Sequence, residues 1–185
     1  RKGVQWAVSV ARKMMLSEKE IQVIQYVSSI HDVGMTTVSE DILKKTLELT
    51  QEEIDQIKRH PQRGTAILRP LEFVELVSQI MLFHHERMDG KGYPMGLKGE
   101  QIPVGSRILA VIDAYVSMIS NRPFRRQLAV GESVEELISN SSSQFDPKVV
   151  GAFIEVLMDD GYVEMKDYNG IRDRLRFGGR HKAAQ

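Results

Sequence analysis

Cysteine is absent from this 185-residue chain. That absence removes disulfides and thiolate metal sites together, leaves nitrogen and oxygen as the donors for any metal, and is compatible with a reducing cytosol. A cytoplasmic location is therefore expected. Neither sign of charge dominates: 25 basic and 25 acidic residues cancel. The chain is thus not the polycation that attaches non-specifically to nucleic acid or anionic membrane, and no DNA or RNA partner is expected. Long hydrophobic runs are missing too, so neither a secretory signal nor a membrane span is expected. What is present is a hydrophobic content of 42%, enough for one sizeable core at a length that favours one domain over two.

The apolar residues recur at helical spacing. Val4, Ala7, Val8, Ala11 and Met15 form a first stripe with no cap in front of it, so a preceding segment is expected. Ser17 with Glu20, and Thr50 with Glu53, have the spacing of capping boxes. They predict one helix toward residue 31 and another carrying Ile54, Ile57 and His60. Pro61 fits the first turn of a segment through Leu68, and Val74, Val77, Ile80, Met81 and His84 predict a further helix. Residues 87–105 are dense in glycine and proline and read as a long loop. Ser106 then reads as the cap of a helix with Leu109, Ile112, Asp113 and Val116, followed by helices over 132–139 and from Asp146-Pro147 to near Asp159. Met14 and Met15 read as core filler. The one hairpin signal, Asn169-Gly170, falls in a tail over 159–185 that reads as a short hairpin or as disordered. The expected architecture is an all-α bundle over 1–158 with a long loop.

Polar residues interrupt the apolar stripes. His31, His60, His84 and Asp113 each stand where a core residue belongs, and an unpaired buried carboxylate costs several kcal/mol, so Asp113 calls for a basic partner or a metal. Asp32 and His85 sit about 100° of helical rotation from His31 and His84, so each dipeptide aims two ligands into one cavity. Four of the five histidines fall within residues 31–85; the fifth, His181, lies in the tail and reads as solvent-exposed.

The segments HDVG at 31–34, HP at 60–61 with Gly64 behind it, HHERMDGKGYP at 84–94, GLKGEQIP at 96–103, RILAVIDAY at 107–115, NRPFR at 121–125 and QFDP at 144–147 closely resemble the HD-GYP family. Its members are bacterial HD-domain phosphodiesterases acting on cyclic di-GMP. The resemblance implies an HD-type helical bundle that hydrolyses cyclic di-GMP to linear pGpG and/or GMP. It implies His31, Asp32, His60, His84, His85 and Asp113 as ligands of two divalent metal ions, with Asp32 as the bridge. Iron or manganese is favoured, with zinc, nickel and cobalt as alternatives. Two such ions screen a phosphodiester's charge and lower the pKa of the attacking water. Gly92, Tyr93 and Pro94 would lie beside the substrate, Lys91 and Arg122 would meet a phosphate, and Asp32, Tyr93 and Arg122 would form the catalytic set. Cyclic di-GMP and an upstream sensory or regulatory domain are the implied partners, with a homodimer left open.

Three departures stand against this pattern. Met35 occupies the place of a family lysine, the first-helix ligand would fall at or before residue 1, and Val116 replaces a second aspartate. Loss of a cation near the reacting phosphate costs on the order of 10²–10³ in rate. A catalytically weak or inactive module that binds a cyclic dinucleotide or a protein is accordingly the alternative.

Overall fold

The first helix, α1 (Lys2–Lys13), turns Trp6, Ala7, Val10 and Ala11 inward on one face. It ends earlier than its stripe: Met15 takes a left-handed φ of 56°, and the Leu16 N–H donates to the Ala11 carbonyl. This is a Schellman-type closure, which satisfies late carbonyls but turns the residue at the bend outward. Met15 is consequently 90% exposed, not core filler, whereas Met14 packs against the core. The structure, a computed structural model, describes residues 2–68, 75–121 and 126–164.

Both capping boxes form, opening α2 (Glu18–Ile30) at Ser17 and α4 (Gln51–Lys58) at Thr50. Between them lies a short helix, α3 (Glu40–Leu43). Then follow α5 (His60–Leu68), α6 (Glu75–Phe83), α7 (Val104–Met118), α8 (Val130–Ser139) and α9 (Pro147–Asp159). Asp146 caps α9 by accepting the Lys148 N–H at 2.8 Å, with Pro147 in the first turn. Helix α7 is buried on most sides and packs against α1, α2, α6, α8 and α9. Trp6, Tyr115 and Phe153 meet edge to face where the last turn of α7 meets α1 and α9, with centroids 4.9–5.8 Å apart. The described residues are helical apart from turns and two isolated bridges, so the fold is all-α. None of their helices is long and apolar enough to cross a membrane.

Two expected boundaries move. Ser106 does not cap α7: the helix starts at Val104, after Pro103, and the buried Ser106 hydroxyl donates to the Ile80 carbonyl at 3.0 Å. A serine inside a helix that finds an acceptor on a neighbour ties the two helices instead of starting one. His60 does not ride on α4 but begins α5, because Pro61 has no N–H to give the Ile57 carbonyl four residues back. The region around Asn169-Gly170, His181 and the rest of the tail beyond residue 164 lies outside the described residues.

Two motif glycines interlock next to the first histidines. A Cβ on Gly34 would stand 1.9 Å from the His60 carbonyl oxygen and 2.7 Å from the Gly64 nitrogen. Only a bare α-carbon lets the Val33–Thr37 turn cross α5 this closely, and that crossing brings Asp32 to His60. Gly34→Ala should therefore lower unfolding free energy by more than about 3 kcal/mol, beyond the ordinary cost of overpacking. Chemical denaturation of the two proteins measures it, and a loss below about 1 kcal/mol would contradict the reading.

Candidate metal centre

Three helices end at the same place, and each delivers a histidine there. His31 follows α2, His60 follows α4 and His84 follows α6. At a helix C-terminus the last carbonyls lack intrahelical donors, and the helix dipole presents its negative end. All three rings use those carbonyls. Nδ1 lies 3.0 Å from the Ser28 carbonyl in His31, 2.9 Å from that of Ile57 in His60 and 2.6 Å from that of Met81 in His84. A carbonyl only accepts, so Nδ1 carries the hydrogen in each ring and Nε2 is the atom turned into the cluster; it keeps its lone pair wherever the ring is neutral. Proline 61 is part of this device, since it leaves the Ile57 carbonyl free for His60.

The lone pairs converge. Nε2 of His60 faces Nε2 of His84 at 3.3 Å, with the two residues 2% and 0% exposed. Two buried acceptors that close repel unless a cation or a shared proton relieves them. His60, His84 and His85 can place three donor atoms within 4.8 Å of one another, and so can His31, His84 and Asp113. Asp32 spans the two groups: Oδ1 is 3.5 Å from His60 Nε2 and Oδ2 is 3.5 Å from His31 Nε2. Nitrogen and oxygen donors in this arrangement fit divalent transition metals, and the pinned tautomers are what such ligands require. The six residues singled out in the sequence thus come together in one place.

Protonation follows position. Burial alone would push the His31 imidazole down, but the hydrogen bond to Asp113 Oδ2 at 3.1 Å, with the charges of Asp113 and Asp32, raises it to about 9. His84 is pushed down to about 4 by burial and by its neighbour His31, and His85 to about 2 by burial and the surrounding imidazoles. Those two rings are therefore neutral donors at physiological pH.

Beside the cluster opens a cavity of about 690 Å³. Asp32, with a side chain 65% exposed, stands at the junction of cluster and cavity. Met35, Lys58, Lys91, Gly92 and Tyr93 line the cavity, as do Ala114 and Val116 of α7. Met35 and Val116 thus give it apolar wall where the HD-GYP pattern has charge. Burial and the charge of Asp32 raise the Tyr93 phenol to about 12, so its hydroxyl remains a donor. Pro94 follows Tyr93 through a cis peptide bond. Arg122 lies outside the described residues.

Two residues were missed in the sequence. Lys58, at the end of α4, brings its ammonium to 5.8 Å from the Tyr93 ring centroid, and only the adjacent HP motif pointed toward it. Glu86 is 3% exposed and accepts the backbone N–H groups of Met95, Gly96 and Leu97 at 2.6–3.0 Å. Its position directly after two histidines was the available signal. Arg87 adds a second clamp, holding both oxygens of Asp89 at 2.9 and 3.1 Å, which keeps that carboxyl down at about 2, and reaching Gln144 at 2.7 Å.

The profile of the HD domain matches residues 1–149. The chain is 36% identical over 147 residues to the cyclic di-GMP phosphodiesterase response regulator RpfG of Xanthomonas campestris, covering 78% of this chain and 39% of that protein. It is 36% identical over 175 residues to a cyclic di-GMP phosphodiesterase of Thermotoga maritima, covering 92% and 46%. The chain thus spans less than half the length of either relative. Among solved structures, a cyclic GMP-AMP specific phosphodiesterase of Vibrio cholerae superposes with a TM-score of 0.67 at 20% identity, over 92% of this chain and 47% of that one.

Proposed function

Because this chain belongs to the HD-domain family, in its HD-GYP form, we propose that it is a metal-dependent phosphodiesterase that opens cyclic di-GMP to linear pGpG and/or GMP. The observation that carries the reading is the pair of facing Nε2 lone pairs on His60 and His84, flanked by Asp32, at the wall of a cavity large enough for a dinucleotide. His84 belongs to both donor groups; with its Nε2 3.3 Å from that of His60, we place it with His60, so that His60, His84 and His85 with Asp32 Oδ1 would hold one ion, and His31 and Asp113 with Asp32 Oδ2 the other. Each imidazole would serve one ion, whereas the Asp32 carboxylate has one oxygen toward each group, so Asp32 would be the ligand common to both. Iron or manganese suits the mixed donor set best, with zinc, nickel and cobalt as alternatives. When bound, such a pair neutralises phosphodiester charge and makes a water nucleophilic near neutral pH.

The remaining work falls to the chain. The Tyr93 hydroxyl, held protonated, donates to a phosphate oxygen. Lys58 and Lys91 add positive charge at the cavity wall, and Arg122 is assigned the same task from the motif. Gly92 and Pro94 shape the loop that carries Tyr93. We read residues 1–158 as the catalytic domain of a longer cytoplasmic signalling protein with an upstream sensory or regulatory domain, able to pair as a homodimer. The greater length of the relatives supports the further domain. Anaerobically reconstituted protein should convert cyclic di-GMP to pGpG and/or GMP, resolved by chromatography, and chelation should stop it. Intact cyclic di-GMP after long incubation with fully metallated protein would reject hydrolysis in favour of a binding module.

A further inference from the structure

His85 differs from the other three histidines of the cluster. No hydrogen bond among the described residues holds either of its ring nitrogens, whereas His31, His60 and His84 are each pinned by a carbonyl. A ligand imidazole without such a partner needs something else to fix its rotation. The Tyr93 ring lies on it, with centroids 4.9 Å apart and planes 27° from parallel.

The loop is built to hold that contact. The Tyr93 N–H donates to the His85 carbonyl at 3.3 Å. A Cβ on Gly92 would stand 2.5 Å from the Glu86 Cα and the Arg87 nitrogen and 2.6 Å from the His85 carbonyl oxygen, so glycine lets the loop press onto the segment that carries His85. Beyond the tyrosine, the Glu86 carboxylate gathers the next three N–H groups after Pro94. A loop anchored on both sides of Tyr93 to the residues at and after His85 fixes one ring against the other.

We infer that Tyr93 is a positioning residue for His85, and that its ring performs for this ligand what the carbonyls perform for the other three. The hydroxyl is left free to face the cavity. This rests on the metal reading above, and it separates two properties of one side chain: the ring governs metal affinity and the hydroxyl governs substrate handling. Tyr93→Phe keeps the ring, while Tyr93→Leu removes it and leaves a smaller apolar side chain.

The test is Mn(II) binding to metal-stripped protein by isothermal titration, which needs no turnover. Tyr93→Leu should weaken one of the two binding steps about 10–100-fold, the usual scale for losing a ligand's support, while Tyr93→Phe should stay within about threefold of the unmutated chain. Adding Tyr93→Leu to His85→Ala should cost nothing further, since the tyrosine acts through that ligand. A loss that instead adds to that of His85→Ala would mark a general loop defect and overturn the inference. So would Tyr93→Leu binding Mn(II) like the unmutated chain, or Tyr93→Phe failing as badly as Tyr93→Leu. If the unmutated chain took up no Mn(II), the metal reading itself would fall, and this inference with it.

Discussion

Asp32→Ala is expected to remove metal and turnover together. Each of its carboxylate oxygens lies 3.5 Å from a different imidazole, Oδ1 from His60 and Oδ2 from His31. On the proposed reading, deleting it would strip one donor from each group and the anion that would hold two like charges close together. His31 and Asp113 would be left as a two-donor remnant, too few for a stable transition-metal site. Turnover of cyclic di-GMP should fall by at least about 10²–10³-fold, the scale set by losing one preorganised charge-stabilising group. Elemental analysis of the desalted variant should find at most one ion per chain. Because the Asp32 side chain is 65% exposed and caps no α-helix, stability to denaturant should change little. Full metal content in Asp32→Ala would show that the bridge has been assigned to the wrong residue.

Met35→Lys should act in the opposite direction and raise turnover about 10-fold or more, since about 1.4 kcal/mol of barrier is a factor of ten. Met35 lines the cavity three residues past Asp32, so a lysine there opens toward a bound phosphate. Methionine and lysine are similar in length and flexibility, so the substitution tests charge with little change in packing. Lys58, on the same cavity, would already supply some of the missing charge. The gain from Met35→Lys should therefore be larger when Lys58 has been replaced by methionine, and initial rates of the four proteins measure that coupling. No gain in either background, with metal still bound, would remove charge at this wall as the limiting feature and favour a module that binds without hydrolysing.

The helices, the convergence of histidines and aspartates and the long loop could be read from the chain because each carries a local signature. Ser17 with Glu20 and Thr50 with Glu53 close capping boxes that depend only on neighbours, and Asp146-Pro147 starts α9 at the expected residue. The histidines and aspartates of the cluster were visible as polar residues breaking apolar stripes. Long-range partners were not. Ser106 looks like a cap until α6 supplies the Ile80 carbonyl, and Met15 continues a stripe until backbone closure turns it out. Glu86 is an ordinary acid in sequence; its three N–H donors come from residues nine to eleven positions away, brought back by the fold. The pinning of His60 lay between these cases. Proline after histidine was in plain view, but that it frees the Ile57 carbonyl for the ring is apparent only with the helix ends in place.

The most direct test is the metal content of the unmutated chain after anaerobic reconstitution with iron(II) or manganese(II) and removal of excess metal. Two facing lone pairs on buried imidazoles, an aspartate spanning two donor groups and three helix C-termini aimed at one point all call for cations. Elemental analysis should return close to two ions per chain. A chain that holds none after reconstitution with either metal would contradict the account at its centre.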